Sequence, residues 1–118
     1  MNKTKVLFMG TPEFGAPTLK ALIENYNVVG VVCQPDKPSN RGKIIYSPIK
    51  ELAIENNIKV FQPVNLKEEY ADILKTSPEI IITCAYGQML PVDFINFPIY
   101  GCINIHASLL PKYRGGAP

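Results

Sequence analysis

A chain of 118 residues, 47% of them hydrophobic, can bury one real core and leaves too little for two. Charged residues make up 19%, twelve basic against ten acidic, so the net charge of +2 gives no general argument for nucleic-acid or membrane surfaces, and any basic patch must be local. The opening MNKTKVLFMG holds only a four-residue apolar run before Gly10, far short of a signal-peptide core or a membrane span, and a cytoplasmic protein is expected.

The first strand is predicted over residues 6–9, VLFM. It runs into the turn GTPEFGAP, where phosphate-binding loops usually sit. Gly10 and Gly15 nearly have the spacing of a nucleoside-triphosphate loop, but Ala16 and Pro17 stand where lysine and a hydroxyl residue would contact phosphate and magnesium. A dinucleotide fingerprint fails as well, because Pro12 occupies its second glycine position. Residues 14–25 then carry helical spacing, with Leu19, Leu22 and Ile23 apolar; Pro17 falls among the first residues, whose N–H groups have no helical partner in any case.

A second strand is predicted over 28–33, followed by the one long irregular stretch, QPDKPSNRGKIIYSP, from 34 to 48. A helix over 47–57, a short strand over 58–61, a helix over 66–75, and strands over 80–85 and 102–105 complete the pattern. Most of the strand runs are unbroken rather than alternating, which suits parallel strands covered on both faces. Strand and helix alternate throughout, and the expectation is an open α/β sheet with right-handed crossovers. Cys33, Cys84 and Cys102 are odd in number, widely spaced and set in or beside apolar runs, so they read as buried reduced thiols. With one histidine and scattered cysteines, no metal site is expected.

Within GCINIHASLLP the alternation puts Ile103 and Ile105 on one face of the last strand and Asn104 and His106 on the other. Polar groups at the carboxyl end of such a strand lie where open α/β sheets bind ligands. One reading is that backbone groups satisfy both where the sheet ends. The other is chemical: His106 is the chain's one histidine, the side-chain type whose unperturbed titration lies near neutral pH, and the Asn104 amide offers two donors to the oxygen of a carbonyl becoming tetrahedral. Nothing orients a base towards Ser108, so direct acyl transfer to an amine is favoured over a covalent route. The 34–48 stretch also has two readings, a solvated connection or a basic loop (Lys37, Arg41, Lys43, with Lys50 beyond it) that contacts phosphates and orders on binding.

CINIHASLLPKYRGGAP resembles the core signature of the 10-formyltetrahydrofolate-dependent formyltransferases. FMGTPEFGAPTLKAL is similar to that family's first strand, turn and helix, VVGVVCQPDKPSNRGK to its second strand and loop, and AYGQMLP to the segment after its fourth strand. Within the family the likeness is greatest to the branch acting on methionyl-tRNA. It implies a Rossmann-like domain, an open, mostly parallel sheet with helices on both faces, that moves a formyl group from 10-formyltetrahydrofolate to the amino group of methionyl initiator tRNA.

The resemblance implies catalytic roles for Asn104, as oxyanion stabiliser, and His106, which manages protons or charge beside it. It implies a folate pocket walled by Gly87, Gln88, Met89 and Leu90 and by Ser108, Leu109, Leu110 and Pro111, and tRNA contacts from Arg41 and Lys43. The family's third catalytic residue, an aspartate, belongs to a segment beyond Pro118. Residues 1–118 are thus expected to be the amino-terminal part of the catalytic domain, cut after about the fifth strand, without the carboxyl-terminal tRNA-binding domain. Such a piece is expected to be inactive alone and to self-associate through an exposed sheet edge. The alternatives are an amino-sugar N-formyltransferase, close in SLLPKYRG, and a folate- or nucleotide-binding module without catalysis.

Overall fold

A computed structural model describes residues 3–10, 13–38 and 44–105. Five strands form one sheet: β1 (Lys5–Gly10), β2 (Asn27–Val32), β5 (Val60–Phe61), β6 (Ile80–Cys84) and β7 (Cys102–Asn104), in the order β5-β2-β1-β6-β7. Every pairing in it is parallel. The first strand lies at the centre, the next two are laid to one side and the last two to the other, so the winding reverses between β1 and β6. In open sheets of this kind the crevice outside the carboxyl ends at the reversal is the usual ligand site. A separate two-residue antiparallel pair, β3 (Lys37–Pro38) with β4 (Ile44–Ile45), forms within the stretch read from sequence as irregular.

Helices cover both faces, as unbroken apolar strands require. On one face Val6, Phe8, Val31 and Ile82 pack against Leu19, Leu22 and Ile23 of α1 (Ala16–Asn25) and Ile49, Leu52 and Ala53 of α2 (Pro48–Glu55). On the other, Leu7, Met9, Val32 and Ile81 meet Leu66, Tyr70 and Ile73 of α3 (Leu66–Leu74) and Phe94 of α4 (Val92–Asn96). Tyr70 and Phe94 meet edge to face, centroids 6.0 Å apart, in the preferred aromatic geometry.

Local chemistry sets the ends of these elements. A short 3-10 turn, Glu13–Gly15, precedes α1 and leaves Pro17 in the first turn of the helix, where it displaces no hydrogen bond. Ser47 caps α2 by accepting from the Lys50 amide at 3.2 Å. At the other end of α2, Asn57 turns to φ 58° and the Ile58 amide returns to the Ala53 carbonyl at 2.9 Å. The strand expected over 58–61 therefore shrinks to two residues, because residue 58 is used in closing the helix. The helix α4 was not apparent from sequence; Pro91 and Asp93 at its start are its signals, but one and a half turns carry too little periodicity to find.

Candidate active site

The carboxyl ends of β1, β6 and β7 open onto a common region. There β1 ends in Gly10, whose replacement by any residue with a Cβ would bring that atom to 2.9 Å from the Cys84 carbonyl oxygen. The glycine is explained by this close approach between central strands rather than by a bound phosphate.

Beyond β6 the backbone turns sharply: Ala85 holds φ at 49° and Gly87 at 98°. Only glycine takes the second value readily, and a Cβ at 87 would also lie 3.0 Å from Gln34 Nε2. This turn forms one wall of a cleft of about 660 Å³ lined by Thr83, Tyr86, Gly87, Gln88, Met89, Leu90, Ile95, Cys102 and Asn104. Five of the residues expected at the site, Asn104 and the 87–90 group, thus share one cavity. His106, Ser108, Leu109, Leu110, Pro111, Arg41 and Lys43 lie outside the described residues.

The five differ in what they do. Met89 is 90% exposed and contributes an uncommitted apolar surface to the cleft. Leu90 packs against the core beneath α3 and α4. Gln88 is a scaffold residue: its Oε1 accepts from the Leu66 amide at 2.8 Å, and its Nε2 lies 3.1 Å from the Pro63 carbonyl and 3.2 Å from Gln34 Oε1. Gln34 in turn donates to the Tyr86 carbonyl at 2.6 Å. These amides stitch the turns after β2, β5 and β6 to the start of α3, so the cleft wall is held by hydrogen bonds on its far side.

Asn104 is at the end of β7, in register with Thr83 of β6. Thr83 Oγ1 donates to Asn104 Oδ1 at 2.9 Å. The Ile105 amide still bonds to the Thr83 carbonyl at 2.7 Å, so the ladder with β6 runs on through residue 105. Cys102 packs on the α3–α4 side while Ile105 packs on the α1–α2 side, in keeping with the alternation read from sequence.

A second polar cluster secures the segment after β2. Lys50 Nζ lies 2.6 Å from Asp36 Oδ2 and 3.9 Å from the centre of the Tyr46 ring, and Gln62 Nε2 donates to Asp36 Oδ1 at 2.8 Å. Asp36 and Tyr46 stand at opposite ends of the basic stretch, so Lys50 joins its two feet. The Lys50 ammonium, then Gln62, hold the Asp36 carboxyl below its ordinary value of 3.8. A carboxyl with a lowered folded-state pKa adds stability above its ordinary pKa and loses it as pH falls through the folded value. The stability advantage of wild type over Asp36→Asn is therefore expected in full at neutral pH and should decline as pH falls from 3.8 through the lower folded value; denaturant titrations down through that range check it, and an advantage undiminished at the acid end would refute the assignment.

None of the thiols is set up as a nucleophile. Burial pushes Cys33 up to about 11 and raises Cys84 and Cys102 above the ordinary 9.0, and all three are free. Burial likewise takes the Tyr86 hydroxyl to about 12. Among the described residues no group of three His, Cys, Asp or Glu side chains could hold a metal, and no helix is long and apolar enough to cross a membrane.

The formyl transferase family model matches residues 2–118. The chain belongs to the formyl transferase family. It is 58% identical to the methionyl-tRNA formyltransferase of Clostridium novyi (strain NT), 56% to that of Malacoplasma penetrans (strain HF-2) and 52% to that of Bacillus subtilis (strain 168). These matches take in 97%, 97% and 98% of this chain but 38%, 36% and 38% of the relatives, so the chain spans well under half their length. The crystal structure of glycinamide ribonucleotide transformylase 1 from Geobacillus kaustophilus superposes with a TM-score of 0.60 over 99% of this chain and 70% of that one. At 22% identity that likeness speaks for the fold, the same parallel sheet with helices on both sides.

Proposed function

We propose that this formyl transferase chain carries the amino-terminal part of the catalytic domain of an enzyme that moves a formyl group from 10-formyltetrahydrofolate to the amino group of methionyl initiator tRNA, in the cytoplasm. The supporting observation is the cleft beside the sheet's reversal point, with the Asn104 carboxamide at one side and the 87–90 turn at the other. Relatives at 52–58% identity carry the methionyl-tRNA name, which favours that acceptor over an amino sugar.

In this reading the folate lies along the 87–90 wall and against residues 108–111, with Met89 supplying apolar contact. The methionyl amine attacks the formyl carbon. As the carbonyl becomes tetrahedral, the Asn104 Nδ2 hydrogens bond the oxygen that gains the charge. His106 is assigned to the proton balance: the amine loses a proton, the bond from the formyl carbon to folate N10 breaks, and N10 gains a proton. No covalent enzyme intermediate is needed, in keeping with the absence of an activated thiol among the described residues.

The basic stretch is assigned to the tRNA, with Arg41 and Lys43 on its phosphates. Formylation assays with initiator methionyl-tRNA and 10-formyltetrahydrofolate, using the full-length enzyme, test both substrates at once. Arg41→Ala combined with Lys43→Ala should raise KM for the tRNA at least tenfold and leave folate binding unchanged, since two phosphate contacts are removed. Loss of folate binding to the same extent would sink the tRNA assignment, and wild-type enzyme that formylates an amino sugar but not the tRNA would overturn the acceptor.

A further inference from the structure

We infer that Thr83 is a positioning residue for the transfer reaction, acting through Asn104; this rests on the reading of Asn104 as the group that binds the developing oxyanion. Thr83 is buried, 6% exposed, and is the one polar side chain in the otherwise apolar strand IIITC. A hydroxyl is costly at such a place unless it is bonded, and valine would fill the same space in a strand without that requirement. The hydroxyl is bonded to Asn104, its cross-strand partner in the β6–β7 register, at 2.9 Å.

The geometry gives this bond a specific consequence. A carboxamide is planar, with its acceptor and donors on opposite arms, and rotation about its last torsion exchanges them at small cost. With Thr83 as the donor, the orientation held is the one in which Oδ1 faces β6. The Nδ2 donors are then carried on the other arm of an amide that lines the cleft. Turned over, the same amide would offer an oxygen to a negative charge and repel it. Preorganised donors are effective in catalysis because they do not reorganise as charge develops, and Thr83 supplies that preorganisation from β6, an inner strand paired on both sides.

The test measures kcat and KM in the full-length enzyme for Thr83→Val, Thr83→Ser, Asn104→Ala and the double variant Thr83→Val with Asn104→Ala. Thr83→Val should lower kcat about tenfold with KM for both substrates unchanged, because the donor is kept but no longer held in place. Thr83→Ser, which keeps the hydroxyl, should restore kcat to within about twofold. In the Asn104→Ala background, Thr83→Val should cause no further loss, since a residue acting only through Asn104 has nothing left to position. A wild-type kcat in Thr83→Val, or an undiminished tenfold loss in the Asn104→Ala background, would overturn the inference and leave the role of Asn104 intact. A wild-type kcat in Asn104→Ala would instead remove the underlying reading.

Discussion

Replacing Asn104 by alanine in the full-length enzyme is expected to lower kcat for formyl transfer by about 10²–10³-fold, or about 2.7–4 kcal/mol of transition-state stabilisation, with KM little changed. The argument is one of timing. A carbonyl oxygen in the bound formyl donor carries only partial charge, whereas the tetrahedral intermediate carries nearly a full one, so a donor aimed at it acts mainly in the transition state. Asn104 is exposed at the end of β7, outside both buried clusters, so its removal should alter the fold little. Steady-state kinetics with both substrates check the prediction, and a rise in KM at constant kcat would reassign Asn104 to ground-state binding.

The largest expected effect on stability comes from Phe8, which is fully buried in the central strand, facing α1 and α2. Its ring edge lies only 3.2 Å from where a Cβ on Gly10 would sit, so the ring adds to the crowding that keeps position 10 a glycine. Phe8→Ala should cost about 3–5 kcal/mol, the usual sum of lost transfer energy and a cavity that rigid neighbours cannot close. Phe8→Leu should cost much less, about 1.5 kcal/mol at most, if the site repacks. Urea unfolding of the two variants distinguishes a packed ring from a tolerant one; equal midpoints for wild type and Phe8→Ala would show that the core closes over the gap.

How much of this was legible in the sequence depends on the length scale of each signal. The unbroken runs at 6–9, 28–33 and 80–85 declared covered parallel strands because burial on both faces removes any polar alternation, and β1, β2 and β6 lie there. The residues that replace the contact positions argue against a phosphate loop in the glycine turn, but only the coordinates explain Gly10, since the crowding comes from Cys84, far away in sequence. The same limit explains Gln88. Resemblance placed it in the pocket wall, and it does line the cleft, but its amide is engaged by Leu66, Pro63 and Gln34, three partners that no local pattern connects.

Thr83 and the Lys50 cluster illustrate signals that were present and unread. A hydroxyl inside IIITC and glutamines directly after two strands, Gln34 and Gln62, are polar groups at places that demand partners. Sequence can state that demand, but the partner is supplied by sheet order, which sets β6 beside β7 and brings the turn after β5 to that after β2.

The division of labour along the 87–90 turn bears on how such an enzyme can change. Backbone geometry at Gly87 and the Gln88 amide fix the path of the turn, while Met89 beside them is exposed and belongs to neither buried cluster of the described residues. A mutation at 89 can therefore alter what the cleft accepts with almost no penalty in foldability, whereas one at 87 or 88 disturbs the scaffold first. If the cleft is the ligand site, variation in ligand preference has an open channel at position 89, directly after two positions at which selection for a foldable chain would purge it.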